Sequence, residues 1–468
     1  MSDRAVRSVA ILGGGIVGLS AAAAFARALP HLVVTLIDTP PDPAALADRL
    51  PGSTSAIHRF HASIELEEAA LFRAGAAVPR LGLRFRNWPA GSESWFHVHG
   101  DHGGLAGNVA FHQLWARARR EGQAEAWHLH AAAGVLAAAG RFVHPQPSPP
   151  LDAFDYALRL DPPRYRETLA ALADRLRVTR LPGTLAAVSR REDGGVAALL
   201  LADGRRVEAD LYIDASGPAA PLAAAVSPAF EDWSAALPYD RVEIGEGPPS
   251  AADPSDTILG GALGWQYAAP LPGRTLLGRI FASAHDDTSA IAIRPGRRRA
   301  PWVGNMLTLG DSAVALDPLH WANLHLAQTS IARALELLPG RDFHPIETAE
   351  YNRRARLEAE RMRDFQALHY LRASADITVP DSLARVVDQF ARRGRFVWQD
   401  EDSVTEDQWL SALIGLGVVP QATDPLAAAM APATVAAGMA EMRKALAQLP
   451  ARVPGYADYL ARSGVPER

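Results

Sequence analysis

The sequence predicts an α/β (α+β) fold in which two intimately packed domains are followed by a mostly helical C-terminal region. Three observations carry this expectation. A complete strand–glycine loop–helix–strand unit opens the chain, and two later apolar runs end in small-residue turns. Beyond Pro339 the pattern changes to long, charged, periodic helices. At 468 residues the chain is too long for one compact core, since domains usually hold about 100–200 residues. The expected organisation is a core over 1–345, with pocket-forming insertions near 80–180 and 220–290, and a helical region over 346–468.

The elements follow in order. Ser8–Leu12 is a short apolar run ending in glycines, as a buried parallel strand does. Ala21–Ala28 is alanine-rich and helical, and Leu32–Ile37 is a second buried strand that stops at Asp38. Pro40–Pro51 holds four prolines and reads as a loop, and Ser63–Arg73 as a helix. Val143–Pro150 is a proline-punctuated break before a helix over Tyr165–Arg177. Leu185–Val188 and Val196–Leu201 are expected to pair across Asp193-Gly194-Gly195, with a third strand over Val207–Ile213. Thr348–Ala373 and Thr434–Leu449 are the long C-terminal helices.

The opening loop carries chemistry. Gly13-Gly14-Gly15-Ile16-Val17-Gly18 fits G-x-G-x-x-G between a strand and a helix. Gly13 permits the tight turn, Gly15 lets the backbone approach a pyrophosphate, and Gly18 lets helix and strand pack closely. The helix start at Ile16 and Val17 offers N–H groups and a partial positive charge to phosphates. Asp38 ends the next strand, where its carboxylate can accept ribose hydroxyls. A bare match would also suit a glycine turn with no ligand, but the full strand–loop–helix–strand–acid context favours a dinucleotide. Two further segments favour FAD over NAD. Val207–Gly217 is a strand running into a small-residue turn, and Asn305–Leu316 is a strand followed by Gly310-Asp311 opening a helix. An acid at that place suits a ribityl hydroxyl. No second fingerprint appears, so reduced flavin is expected from elsewhere.

Composition excludes other classes. Apolar residues make up 48% and charged residues 21%, and the formal charge is −5, which gives no reason to expect nucleic acid or an anionic membrane. The absence of cysteine removes disulfides, thiolate nucleophiles and cysteinyl-flavin links. The apolar stretch Ser8–Ala24 is not read as a signal peptide, because its glycines would break the helix. No run reaches the roughly 18 apolar residues of a membrane span, and a cytoplasmic location is expected.

Several motifs together resemble the flavin-dependent tryptophan halogenases. Gly264-Trp265-Gln266-Tyr267-Ala268-Ala269-Pro270 resembles that family's W-x-W-x-I-P motif, with Tyr267 for the second Trp. Arg80-Leu81-Gly82-Leu83-Arg84-Phe85, then Asn87-Trp88, resembles the stretch that carries its catalytic lysine. Arg297–Asn305 with Gly310–Leu326 resembles the flavin and halide stretch, and Trp95–Gly100 a segment lining the substrate pocket. Asp381–Trp409 resembles its helical C-terminal part, so the likeness spans nearly the whole chain. It implies a two-domain, Rossmann-type, FAD-binding monooxygenase/halogenase fold. It also implies a separate flavin reductase as partner, and an aromatic small-molecule or peptide substrate. In that family reduced FAD and oxygen oxidise a halide, and the product crosses a tunnel to the substrate, where a lysine and a glutamate act on it. A homodimer is compatible with the sequence.

The departures fall on the site itself. Arg80 stands in the place of the lysine, and a delocalised guanidinium is not a tunable donor. His320 stands in the place of the glutamate, and Trp321, Ala322 and Asn323 replace small residues that include the halide-binding pair. Asp317-Pro318-Leu319 and Leu324-His325-Leu326 fix the register on both sides. Gly52-Ser53-Thr54-Ser55 replaces an acidic G-E-A-T strap. Asn tolerates left-handed backbone angles, so Asn323 could still turn its N–H towards an anion. Asn323 and Leu324 are expected beside the flavin, and His97, His99, Trp265, Tyr267 and Trp321 around the substrate. His97, His99 and His102 with Asp101 could hold a metal, although histidines lining a pocket are commoner, and no metal is expected. The expected function is an FAD-dependent oxidoreductase that does not halogenate. The alternatives are an active halogenase with altered catalytic residues and a silent FAD- or ligand-binding protein.

Overall fold

The opening unit folds as its pattern requires. In the computed structural model, residues 5–104, 108–283, 290–373 and 376–466 are described, so 105–107 and 284–289 of the two expected insertions lie outside the described residues. Strand β1 (Ser8–Leu12) leads through the glycine loop into helix α1 (Ile16–Ala28) and then strand β2 (Val33–Asp38). The buried alanines Ala21–Ala24 put no bulk between helix and sheet, so α1 packs closely. The sheet runs in the order Trp302–Val303, Met306–Thr308, Leu211–Asp214, β1, β2, Thr179–Pro182. All its neighbours are parallel except the first pair. The carboxyl ends of β1, β2 and Leu211–Asp214 therefore lie side by side, the place where open α/β sheets bind ligands.

Three local expectations are corrected. The helix expected over Ser63–Arg73 is two helices, Ile57–Ser63 and Glu68–Arg73, because Glu65 takes φ 53° and a left-handed residue cannot continue a right-handed helix. The strand expected over Val207–Ile213 is split. Arg206–Val207 pairs with Val196–Leu201, while Leu211–Asp214 joins the parallel sheet. Asp210 makes the switch: its carboxylate accepts the Arg7 and Ser8 N–H groups at the start of β1. Gly310-Asp311 opens only a 3-10 turn, Gly310–Ser312, and the helix begins at Ala322. His320 and Trp321 hold φ 60° and 59°, so no helix can start before them.

A second, seven-stranded sheet forms the other layer. It gathers Ile291–Ala292, Arg241–Gly247, Arg274–Phe281, Gly264–Leu271, Ser255–Gly261, Gly82–Arg86 and Trp95–Val98 in that order. Strands from 82–98 thus lie beside strands from 241–292. Beyond residue 345 the described chain is helical, with Pro345–Ala373, Asp381–Arg393, Glu406–Gly415 and Pro432–Ala447 the longest elements. Phe365, Phe390, Trp409 and Leu413 from these helices share one apolar core with Phe85, Trp88, Trp265 and Trp321. Among the described residues no helix is long and apolar enough to cross a membrane.

Candidate functional site

The glycine loop forms an anion cradle. Gly13 has φ +123°, and a Cβ there would overlap the Ala215 carbonyl, so only glycine fits. Ile16, Val17 and Gly18 begin α1 and are buried. No side chain of the N-cap residue Gly15 satisfies the helix start. Asp48 does so instead: its Oδ1 accepts the Val17 N–H at 3.1 Å, and a Cβ on Gly15 would overlap its Oδ2. Asp48 comes from the proline-rich loop, whose Leu46–Asp48 segment is a 3-10 turn. A carboxylate therefore stands where a phosphate oxygen would find the same donors. Burial pushes Asp48 up to about 6 despite those hydrogen bonds.

The neighbouring Asp311 behaves alike. Asp311 accepts the Ala47 N–H at 2.8 Å and Asn323 Nδ2 at 3.0 Å, and burial pushes it up to about 7 with Asp48 adding to the rise. Gly310 packs on Val17, and Leu324 is buried in the core beneath the nucleotide sheet. Asn323 lies in the first helical turn, its Nδ2 donating to Asp311 and to the Leu316 carbonyl, and the left-handed backbone that Asn would tolerate falls at His320 and Trp321 instead. Asp38, expected at the ribose, is paired with Arg180 at 2.5 Å. Beside the loop lies a cleft of about 550 Å³ lined by Pro41, Asp48, Arg49, Arg166 and Tyr267.

The second group of predicted residues also converges. Arg80, His97, His99 and His320 line one small cavity together with His325 and Gln408. Arg80 is 1% exposed, donates to the Ser53 carbonyl, and faces Asp256 at 3.3 Å. Asp256 is shared with Arg159 at 2.6 Å, and both are fully buried. Burial lowers Arg80 to about 10, with Asp256 opposing the fall, so it stays protonated at neutral pH.

The histidines have determinable tautomers. His369 Nδ1 lies 3.0 Å from the Phe365 carbonyl, which can only accept, so that nitrogen carries the proton. Its Nε2 therefore accepts from His320 Nε2 at 2.9 Å, leaving His320 Nδ1 unprotonated. Burial holds His97, His99 and His320 well below the usual histidine range, so all three are neutral. His102 is drawn away to stack on Trp127, with ring centroids 4.7 Å apart. Among the described residues no group of three acidic or histidine side chains is placed to hold a metal ion.

Trp321 stands between the two regions. Its indole lies flat against Gly52, where any Cβ would overlap it, and meets Tyr267 edge-on at 4.9 Å. Tyr267 lines the cleft, and His320, next to Trp321 in the chain, lines the small cavity. Trp265 is buried in the same aromatic core, 5.9 Å from Trp88. Sequence reading missed Asp48, Asp256, Arg159, His369 and Gln408. Asp48 lay in a stretch legible only as a loop, and the others sit in ordinary strand and helix patterns, so only the fold reveals their partners.

Comparison with known proteins gives one family. The tryptophan halogenase family model matches residues 8–432. The chain is 32% identical to BrvH, a flavin-dependent halogenase from Brevundimonas sp. BAL3, over 98% of this chain and 99% of that one, with a TM-score of 0.91. It is 28% identical to Xcc4156, a flavin-dependent halogenase from Xanthomonas campestris, over 99% and 100% of the two chains, with a TM-score of 0.92. Among curated proteins it is 24% identical to tryptophan 7-halogenase KtzQ of Kutzneria sp. (strain 744), covering 83% of this chain and 82% of that one.

Proposed function

The chain belongs to the tryptophan halogenase family, and from that premise we propose that it is an FAD-dependent oxidoreductase of the family that does not halogenate. It takes reduced flavin from a separate reductase and uses oxygen on an aromatic or peptide-like substrate. Gly13, Gly15, Ile16, Val17 and Gly18 would hold the pyrophosphate once Asp48 withdraws. Asp38 would serve the ribose, Asp311 the ribityl chain, and Asn323 and Leu324 the ring side. The donor set suits the group, since the α1 start already receives a carboxylate oxygen there. Bound reduced FAD would supply the electrons that activate oxygen.

One observation carries the non-halogenating reading. The chain contains a single lysine, Lys444, exposed on the Pro432–Ala447 helix, so no lysine lines the Arg80 cavity. Arg80 is engaged with Asp256 and cannot become a tunable ammonium. Neutral His320 supplies no carboxylate, and Trp321 fills the space between Gly52 and Tyr267. A second reading, a shell that binds a ligand without turnover, is favoured by Asp48 in the phosphate cradle.

The test is halide incorporation into tryptophan and free indoles, with reduced FAD, oxygen and chloride or bromide. Wild type is compared with a variant carrying Arg80→Lys, His320→Glu, Trp321→Ser, Ala322→Thr and Asn323→Gly. No product is expected from wild type, and halogenated product from it would refute the proposal. Oxygen consumption that rises with an aromatic substrate separates the oxidoreductase from the silent shell.

A further inference from the structure

The Arg80 cavity contains more positive charge than its surroundings balance. Arg80 and Arg159 share the one carboxylate of Asp256, and all three side chains are at most 1% exposed. The next acid, Asp253, acts on Arg159 but also faces Arg84 at 3.5 Å, so three guanidiniums meet two carboxylates and one positive charge is left over. Histidines complete the walls, and they are neutral, so they neither add charge nor cancel it. A surplus of one buried positive charge is costly unless an anion accompanies it.

The unused donors point the same way. Arg80 Nη1 is buried and has no hydrogen-bond partner among the described residues. His99 Nε2 is also buried and unpartnered, and its protonation follows from a chain of contacts. The Thr405 N–H donates to Gln408 Oε1 at 3.1 Å, which fixes the orientation of that amide. Gln408 Nε2 then donates to His99 Nδ1 at 3.3 Å. The proton of neutral His99 therefore sits on Nε2, a donor without an acceptor. Both residues line a cavity of about 20 Å³, the room of one or two waters.

We propose that this cavity is a binding site for one small monoanion of halide size, held by Arg80 Nη1–H and His99 Nε2–H. The inference rests on the charge and donors of the cavity and stands whether or not the protein binds flavin. The position is set by side chains from the Ala77–Arg80 strand and the Trp95–Val98 strand with its following residue, not by a helix terminus. The ligand chemistry is that of a halide or of a carboxylate edge; phosphate and other bulky polyanions are excluded by size.

The experiment is bromide-edge anomalous diffraction from crystals grown in bromide, paired with thermal unfolding in bromide against gluconate at equal ionic strength. One anomalous peak within hydrogen-bonding reach of Arg80 and His99 is expected, with a saturable rise in Tm that gluconate does not give. Formate in a further arm tells a carboxylate occupant from a halide, and displacement of bromide by formate also supports the site. Arg80→Met should abolish peak and response. Should that variant not fold, His99→Leu should weaken the bromide response, and Asp256→Asn, which enlarges the charge surplus, should lower the bromide concentration at half-response. Absence of the peak in wild type, or an equal Tm rise in gluconate, overturns the proposal, as does a bromide response unchanged in His99→Leu.

Discussion

Asp48→Ala is the most informative perturbation of the cofactor site. Asp48 sits on the N–H groups that a pyrophosphate needs, so FAD and this carboxylate compete for one cradle. Burial raises Asp48 to about 6, against a value near 3.8 once the loop releases it. Between those values the flavin-free protein binds a proton that the complex gives up. Flavin binding therefore releases a proton in that window, and affinity falls as pH falls below about 6. At pH 5 a group with this pKa is about nine-tenths protonated, so wild-type affinity should be about tenfold weaker than at pH 8. Asp42 and Arg166 also act on Asp48, and Asp311 titrates beside it, but these groups are common to wild type and variant.

The alanine variant should lose this part of the pH dependence and should bind more tightly at every pH. A capping hydrogen bond of about 1 kcal/mol no longer competes, which corresponds to about fivefold. The assay is quenching of flavin fluorescence by flavin-free protein between pH 5 and 8. If the two pH profiles superimpose, or the variant binds FAD less tightly at pH 8, Asp48 is not the competitor and the reasoning fails.

Three further outcomes follow from the same geometry. Gly15→Val sets a branched side chain against Asp48 and in the path of the pyrophosphate, so flavin affinity should collapse by at least about a hundredfold; wild-type affinity would remove the loop from the site. NADPH without a reductase should leave the bound flavin band unbleached under anaerobic conditions, because the chain holds one nucleotide fingerprint. Histidines 61 and 102 are both lowered to about 3 by burial, so the stability they contribute is present above about pH 6.5 and is lost as pH falls towards 3. Urea unfolding should show stability falling below pH 6.5, and His102→Gln should reduce that slope by up to about 1.4 kcal/mol per pH unit; an unchanged slope would show that His102 is not held neutral.

What the sequence made legible was whatever local pattern specifies. The glycine loop, the β1–α1–β2 unit and the hairpin Leu185–Leu201 are set by spacing within a few residues, and each formed near its expected place. Sites that depend on partners far along the chain were not legible. Arg80 could be picked out by position, but its bond to Asp256, 176 residues later, depends on the parallel pairing of Ser255–Gly261 with Gly82–Arg86. His320 is held neutral first by burial and then by its neighbours, among them His369, 49 residues away on the long helix. The misplaced helix start after Gly310 has another cause. Two consecutive left-handed residues, His320 and Trp321, are rare for bulky side chains, and no local propensity foretells them.

These same residues show why the departures belong together. With Trp321 in the left-handed region, its indole turns onto Gly52 and against Tyr267, in space that small residues would leave open. The preceding residue, also left-handed, then presents a ring that bonds His369 and packs 4.6 Å from His97. A carboxylate at position 320 would leave His369 Nε2 without its donor and would compete with Asp256 for Arg80, which lines the same cavity. Arg80 is steadied from the opposite side by Asp256 and the Ser53 carbonyl, and Ser53 adjoins Gly52 beneath the Trp321 indole. Restoring one family residue alone therefore strands another: Arg80→Lys shortens the reach to Ser53, and His320→Glu removes the donor to His369. Coupling of this kind makes single reversions non-additive. Activity, if recovered, should appear only when Trp321 is replaced together with the Arg80 and His320 pair. Recovery by Arg80→Lys alone would show that these residues act independently.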